Sequence, residues 1–181
     1  FAAVNKFGNT QKGKIIKKKI SYKFNNDGNE TEYNNPNIFV KFVTTYDIKG
    51  LKSKFESKDT NNITFHTQFF TYDDKNNLTE SNYYNKEGKL QGKNVYKYDE
   101  RNNKIEEIEY KLDGSIASKT VLIYDKQNNL IERVRYSSEM QIESRSKYVY
   151  ENFNRKIQEI GEQFRDGNFY KEERILYEYD S

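Results

Sequence analysis

The chain has 181 residues, 34% hydrophobic and 33% charged, and its 31 basic and 28 acidic side chains leave a formal net charge of +3. So small an excess, spread along the whole chain, excludes a nucleic-acid binder, which needs Lys and Arg clustered on one face. It also lacks Cys, which removes disulfide and thiol chemistry, and no run approaches the roughly 18–20 apolar residues that would span a membrane.

A hydrophobic share below the usual roughly 45–50% leans toward disorder. The 15% aromatic content, all Tyr and Phe, argues the other way, because those residues are regularly spaced. The composition therefore predicts a folded chain with a thin core. The first 23 residues read as an N-terminal capping segment, in which Lys17-Lys18-Lys19 between Ile16 and Ile20 is a solvated strand edge of the kind that deters aggregation. Opening on Phe1, the chain leaves both a removed export signal and the lack of one open.

From residue 24 to 180 the chain reads as hairpin repeats, making one domain over residues 1–181. A degenerate copy, Asn25-Asn26-Asp27-Gly28-Asn29, follows Phe24. Then Tyr46-Asp47, Tyr72-Asp73, Tyr98-Asp99, Tyr124-Asp125 and Tyr150-Glu151 recur every 26 residues, with Tyr179-Asp180 following after 29. A fixed period of this size signals a repeat architecture. Within each unit a second mark, at Tyr84, Tyr110 and Tyr136, is again 26 residues apart. Two strands of about nine residues and two turns of about four fill one period, which is one β-hairpin and its connection.

The turn residues fit that arithmetic. Gly88 and Gly114, behind Glu87 and Asp113, supply the positive φ of a tight turn. Asn76-Asn77, Asn102-Asn103 and Asn128-Asn129 do similar work in the alternate turns, and the Asp after each Tyr is placed to accept a backbone N–H. Between turns the apolar period is two. Phe70 with Tyr72, Tyr96 with Tyr98, Leu122 with Tyr124 and Tyr148 with Tyr150 are the expected core columns, together with Ile108–Tyr110 and Val134–Tyr136. Val43, Phe69, Val95 and Val121 form a second apolar column on the opposite face. The fold expected is all-β: an antiparallel meander of about ten to twelve strands, twisted or curled into an open sheet. The stretch around 165–169 reads as a terminal variation.

The pattern Tyr-Asp-x-x-(Gly/Asn)-Asn-Leu, followed by a Gly turn and another Tyr-x-Tyr-Asp, resembles the Rhs or YD repeat. It is matched best by residues 70–90, 96–116 and 122–142, and more loosely by 148–164. The resemblance implies β-hairpins following one another in a long spiralling sheet, which in large members forms a shell around a toxic C-terminal domain. The usual Gly position is mostly Asn in this chain, about six units are too few to close such a shell, and the 181 residues contain no toxin segment. A likeness to MORN-type hairpin repeats is weaker. Small repeat chains rich in Asn and Lys are similar to exported or lipoprotein-type bacterial envelope proteins.

Catalytic material is sparse. The single histidine, His66, sits in an ordinary strand context with no local Ser or acid partner pattern. Glu106-Glu107 and Glu132 alternate with Lys and Arg as cross-strand ion pairs rather than as paired catalytic acids. Asp73-Asp74 with Asn76-Asn77 offer hard oxygen ligands, but the spacing departs from a calcium loop. No catalytic, metal or cofactor site is expected. The structural repeat positions are Tyr46, Asp47, Tyr72, Asp73, Tyr84, Gly88, Tyr98, Asp99, Tyr110, Gly114, Tyr124, Asp125, Tyr136 and Tyr150. The expected function is a non-catalytic scaffold or protein-interaction module, bacterial, in the cell envelope or secreted. The alternatives are a carbohydrate-binding module using rows of Tyr and a fragment of a toxin-enclosing shell. Partners would be a protein or a glycan, and function would lie in residues that break the repeat.

Overall fold

A computed structural model describes residues 19–36, 38–151 and 155–179. Residues 1–18 of the expected capping segment, including Lys17 and Lys18, lie outside the described residues. So do 152–154 of the loosest repeat copy and Asp180 of the last Tyr-Asp pair.

Among the described residues thirteen strands follow one another. The first seven are β1 (Ser21–Phe24), β2 (Glu30–Asn35), β3 (Val40–Tyr46), β4 (Lys52–Lys58), β5 (Thr64–Tyr72), β6 (Leu78–Asn85) and β7 (Leu90–Tyr98). The remainder are β8 (Lys104–Tyr110), β9 (Ile116–Tyr124), β10 (Leu130–Tyr136), β11 (Ile142–Tyr150), β12 (Lys156–Arg165) and β13 (Asn168–Leu176). All thirteen belong to one sheet in sequence order, each antiparallel to the next. At about 4.8 Å per strand the sheet is roughly 60 Å long. The stretch at 165–169, expected as a variation, is a hairpin of its own: Asp166 and Gly167, both at positive φ (51° and 76°), make the two-residue turn between β12 and β13.

Most hairpins turn in the same way. In the turn after Tyr72, Asp73 N–H donates to Asn77 C=O (2.9 Å) and Asn76 N–H donates to Asp73 C=O (3.0 Å). The same pair of bonds recurs after Tyr46, Tyr84, Tyr98, Tyr110, Tyr124 and Tyr136. This is a type I turn closed by a residue in the left-handed region, with a bulge that shifts register where the strands begin. Asn76, Asn102 and Asn128 hold that residue in the Tyr-Asp turns, at φ 66°, 65° and 66°. Gly88 and Gly114 hold it in the alternate turns at 73° and 80°. Only the first Asn of each pair takes the special backbone, and the second serves the side-chain bonding described below.

The extra residue at each bulge decides which face a strand serves. Phe70 faces Ser81 across β5–β6, Asn94 faces Glu109 across β7–β8, and Leu122 faces Arg133 across β9–β10, all on the face of the Tyr-Asp tyrosines. Ile108 pairs with Val95 on one side and with Lys119 on the other, and Val134 pairs with Val121. Ile108–Tyr110 and Val134–Tyr136 therefore belong with Val95 and Val121 on the opposite face. The expected single set of core columns is split between two faces.

Among the described residues neither face carries a second layer, and each strand packs chiefly against its sequence neighbours. Among the described residues only two hydrophobic ones are buried, Ile108 at 9% exposure and Val134 at 5%. The remaining buried residues are Ser57, Ser81, Ser118 and Thr120, all on the Tyr face, where short side chains lie beneath larger neighbours. The low hydrophobic content matches a sheet with no interior to fill.

The third copy of the Gly turn has Met140 at φ 60° where its predecessors have glycine. A side chain in that region costs about 1–2 kcal/mol. Met140→Gly is expected to stabilise the chain by about 1 kcal/mol, read as a higher urea midpoint, and Gly114→Ala to lower that midpoint. No gain from Met140→Gly would show that Met140 contacts offset the strain.

Candidate functional site

The repeat residues converge on the edge of the sheet where the Tyr-Asp turns lie. Each Asp there clamps its own turn. Asp73 Oδ1 accepts from the N–H of Lys75 (2.9 Å) and Asn77 (2.8 Å), and its Oδ2 accepts from Asn77 Nδ2 (3.0 Å). Asp99 does the same with Arg101 and Asn103, and Asp125 with Gln127 and Asn129. Asp47 accepts from Lys49 and Leu51 N–H, both at 2.9 Å. With both oxygens engaged in this way, the carboxylates that suggested hard cation ligands are turn clamps. Among the described residues no three His, Cys, Asp or Glu side chains group as a metal site.

Side chains also connect successive turns. Asn77 Nδ2 donates to Asn102 Oδ1 (3.2 Å), and Asn103 Nδ2 donates to Asn128 Oδ1 (3.0 Å). Arg101 Nη1 donates to the carbonyls of Asp125 (2.9 Å) and Lys126 (3.2 Å).

The tyrosines reach backward. Tyr46, Tyr72, Tyr98 and Tyr150 each donate their hydroxyl to a backbone carbonyl one hairpin earlier: Glu30, Lys52, Leu78 and Leu130, at 2.9–3.0 Å. Tyr179 bonds to Lys156 C=O at 2.7 Å. Tyr124 stands in the same column, yet its hydroxyl makes no such bond. Burial holds the phenols of Tyr72, Tyr98, Tyr124 and Tyr150 above their ordinary range. Of the second set of marks, Tyr84 packs edge-on against Phe69 (5.6 Å between ring centres) and Tyr110 lies under the Lys93 ammonium (5.3 Å). Tyr136 pairs with Lys119 and Ile142 on its two sides.

The opposite face carries a line of carboxylates, each bridging cations. Glu32 lies between Lys41 (2.9 Å) and Lys23 (3.2 Å), and Glu106 between Lys119 (2.6 Å) and Lys97 (2.7 Å). Glu162 bonds Lys147 (2.8 Å) and Arg145 (3.4 Å), and Arg145 also holds Glu132 (3.0 Å). Glu107, expected beside Glu106, belongs to the other face and pairs with Lys104. Lys41 holds Glu32 below the ordinary carboxylate range, Lys119 does so for Glu106, and Lys147 for Glu162. His66 stands opposite Ser57 and Asn85 with its ring 5.9 Å from that of Tyr83.

A trough of about 580 Å³ lies on β6–β9, lined by Tyr83, Gly92, Asn94 and Glu109 with Lys111 and Asp113 of the neighbouring turn. Of its lining residues only Tyr110 and Asp113 were expected as repeat or turn positions. The signal for it was present in the sequence, because a 26-residue step from Gly92 lands on Ser118 and then Ser144.

No family model matches the chain, and no curated protein matches it. Among solved structures, a porin-like protein from Bacteroides uniformis is similar at 12% identity and a TM-score of 0.50, with 86% of each chain covered. A TcdB2-TccC3-Cdc42 structure is similar at 15% identity and a TM-score of 0.42 over 87% of this chain. This chain spans only 10% of that one. A protein of unknown function from Bacteroides fragilis aligns at 13% identity and a TM-score of 0.35, covering 79% of this chain and 96% of that one. At such identities the likeness to the porin-like protein concerns the β-sheet fold alone. No helix among the described residues is long and apolar enough to cross a membrane.

Two outcomes test this edge. Tyr98→Phe removes the bond to Leu78 and is expected to cost about 1 kcal/mol, whereas Tyr124→Phe, which has no such bond to lose, is expected to be near neutral. Equal urea midpoints for the two variants would remove the tether its role. For pH, the depressed carboxyls of Glu32, Glu106, Glu162, Asp73, Asp99 and Asp125 favour the folded chain above their unfolded values near pH 4. That stability is lost as pH falls through the lower folded values. The urea midpoint should therefore decline from about pH 5 downward, and more steeply in low salt. A midpoint flat from pH 5 to 3 would contradict it.

Proposed function

We propose that the chain is a short Rhs-like repeat sheet that serves as a non-catalytic scaffold or protein-interaction module of the bacterial cell envelope. The observation that carries this reading is how the repeated polar groups are used. The Asp carboxylates, the Asn amides, most Tyr-Asp hydroxyls and the bridging Glu side chains all hold hairpins to themselves or to each other. The result is an extended surface open on both faces, whose repeated chemistry is spent internally. The repeated Tyr-Asp hairpin in a continuous meander supports the Rhs-like reading. Ile123 and Val149 stand exposed on the ion-pair face, and Glu109 is exposed on the Tyr face. These positions offer contact surface to a protein partner without disturbing the ladders.

A photo-crosslinking amino acid placed singly at Ile123, Val149 or Glu109 tests the reading, with Lys126 in an exposed turn as control. In envelope extract of the source cells, adducts to one discrete protein from at least one face position, and none from Lys126, are expected. Adducts equal at all four positions, or none at any face position, would overturn the interaction role. Recovery of the chain in the cytosolic fraction would overturn the location.

A further inference from the structure

Gly92 is where the repeat loses a side chain. The period places His66, Ser118 and Ser144 at its position, Gln68, Thr120 and Ser146 at that of Asn94, and Ser57, Glu109 and Arg135 at that of Tyr83. Gly92 lies in mid-strand, directly opposite Tyr83 in the β6–β7 register. A Cβ there would stand 3.4 Å from the Tyr110 carbonyl oxygen, ordinary-to-tight contact, so the strand tolerates a side chain with a small adjustment. The absence of one leaves the β7 side of the Tyr83 ring uncovered.

Two hydrogen bonds hold Tyr83 away from that gap. Its hydroxyl accepts from Asn94 Nδ2 (3.3 Å) and from Ser81 Oγ (3.5 Å), both lying toward the Tyr-Asp edge. On its other side the ring meets His66. Across the trough, Glu109 Oε2 accepts from the Ser118 hydroxyl (3.2 Å), which fixes the carboxylate at the rim. Asn94 Nδ2 also approaches the Tyr96 hydroxyl (3.4 Å), so both amide hydrogens are directed to phenols and the amide oxygen is left to accept. Lys111 and Asp113 complete the rim with one charge of each sign.

The geometry points to a saccharide-binding site in this trough, with one pyranose ring laid against Tyr83 and its hydroxyls bonded by Asn94, Glu109 and Lys111. The volume suits a ligand of one to two rings. An aromatic wall takes the C–H face of a sugar, while amide, carboxylate and ammonium groups match its alternating donors and acceptors. Other classes fit less well. A phosphate-bearing ligand would need a rim of one positive sign. A peptide strand would need free backbone groups, and Gly92 lies between two paired strands. The site shares Glu109 with the proposed interaction surface, while Ile123 and Val149 of that surface lie on the opposite face of the sheet.

The test is isothermal titration of the full chain with maltotetraose, cellotetraose and tetra-N-acetylchitotetraose, one at a time. At least one is expected to bind with a dissociation constant on the order of 0.1–1 mM. Gly92→Ser, which restores the side chain of the neighbouring repeats, is expected to weaken that binding at least tenfold with an unchanged β circular dichroism spectrum. Glu109→Gln, at an exposed position, should weaken it several-fold and decides the matter if Gly92→Ser fails to fold. Tyr22→Ala, on an exposed ring elsewhere on the same face, should leave binding unchanged. Absence of binding by all three sugars, or binding insensitive to Gly92→Ser and Glu109→Gln, overturns the site. Crosslinking from Ile123 on the opposite face should persist in Gly92→Ser, which separates failure of the sugar site from failure of the scaffold reading.

Discussion

The hydroxyl of a Tyr-Asp tyrosine and the carbonyl it meets one hairpin earlier form the bond that joins hairpins beyond their shared ladder. Tyr98 to Leu78 is representative, at 3.0 Å. A single-layer sheet buries few apolar side chains, so its hairpins gain little from hydrophobic burial and must be tied by directed contacts. A phenol does this economically: its ring covers short residues along the strand and its tip reaches a backbone acceptor that would otherwise face water. The Asn77–Asn102 and Asn103–Asn128 bonds donate forward to the next turn, and the Glu106 bridges between Lys97 and Lys119 do the equivalent on the other face. Each such contact is modest, about 0.2–1 kcal/mol for an exposed ion pair. Their number along the sheet, rather than the strength of any one, makes the array hold.

Stability of this kind is distributed among nearest neighbours, as in other linear repeats. The described strands contact chiefly their neighbours in sequence, so folding requires little long-range loop closure. The same arrangement predicts unequal stability along the sheet. The middle strands β7–β10 contain the buried Ile108, Ser118, Thr120 and Val134. The terminal strand β13 is exposed along its whole length. Its centre carries Lys171, Glu172, Glu173 and Arg174, paired within the strand, and a charged edge of this kind resists pairing with other chains.

What the sequence revealed follows from which interactions are local. Turn positions were legible because a left-handed residue, an Asx clamp and the spacing of the tyrosines lie within a few residues of one another. Asp99, Asn102 and Tyr98 announce themselves without reference to the rest of the chain. Face assignment was not legible in the same way. One bulge residue per turn reverses the inward–outward count, so Ile108 and Leu122 look alike in an alternating pattern yet serve opposite faces. The backward reach of Tyr98 was hidden for a different reason: its acceptor is a main-chain carbonyl, and a carbonyl leaves no mark on residue identity. The thirteenth strand was hidden because a two-residue turn at Asp166-Gly167 replaces the usual longer one.

Gly92 shows how a repeat can be read for function rather than architecture. Once the period assigns Tyr98 and Asp99 to tethering and clamping, their recurrence carries no further information about a ligand. A departure matters when it removes something the fold tolerates elsewhere and when its neighbours respond to the removal. Met140 departs from the Gly turn and gives only backbone strain in an exposed loop. Gly92 departs where His66, Ser118 and Ser144 show that a side chain fits, at the wall formed by Tyr83 and Asn94. The missing side chain opens a trough, and Tyr83 and Glu109, each held by hydrogen bonds, form its wall and rim. A lone glycine would have formed only a weak point in a strand.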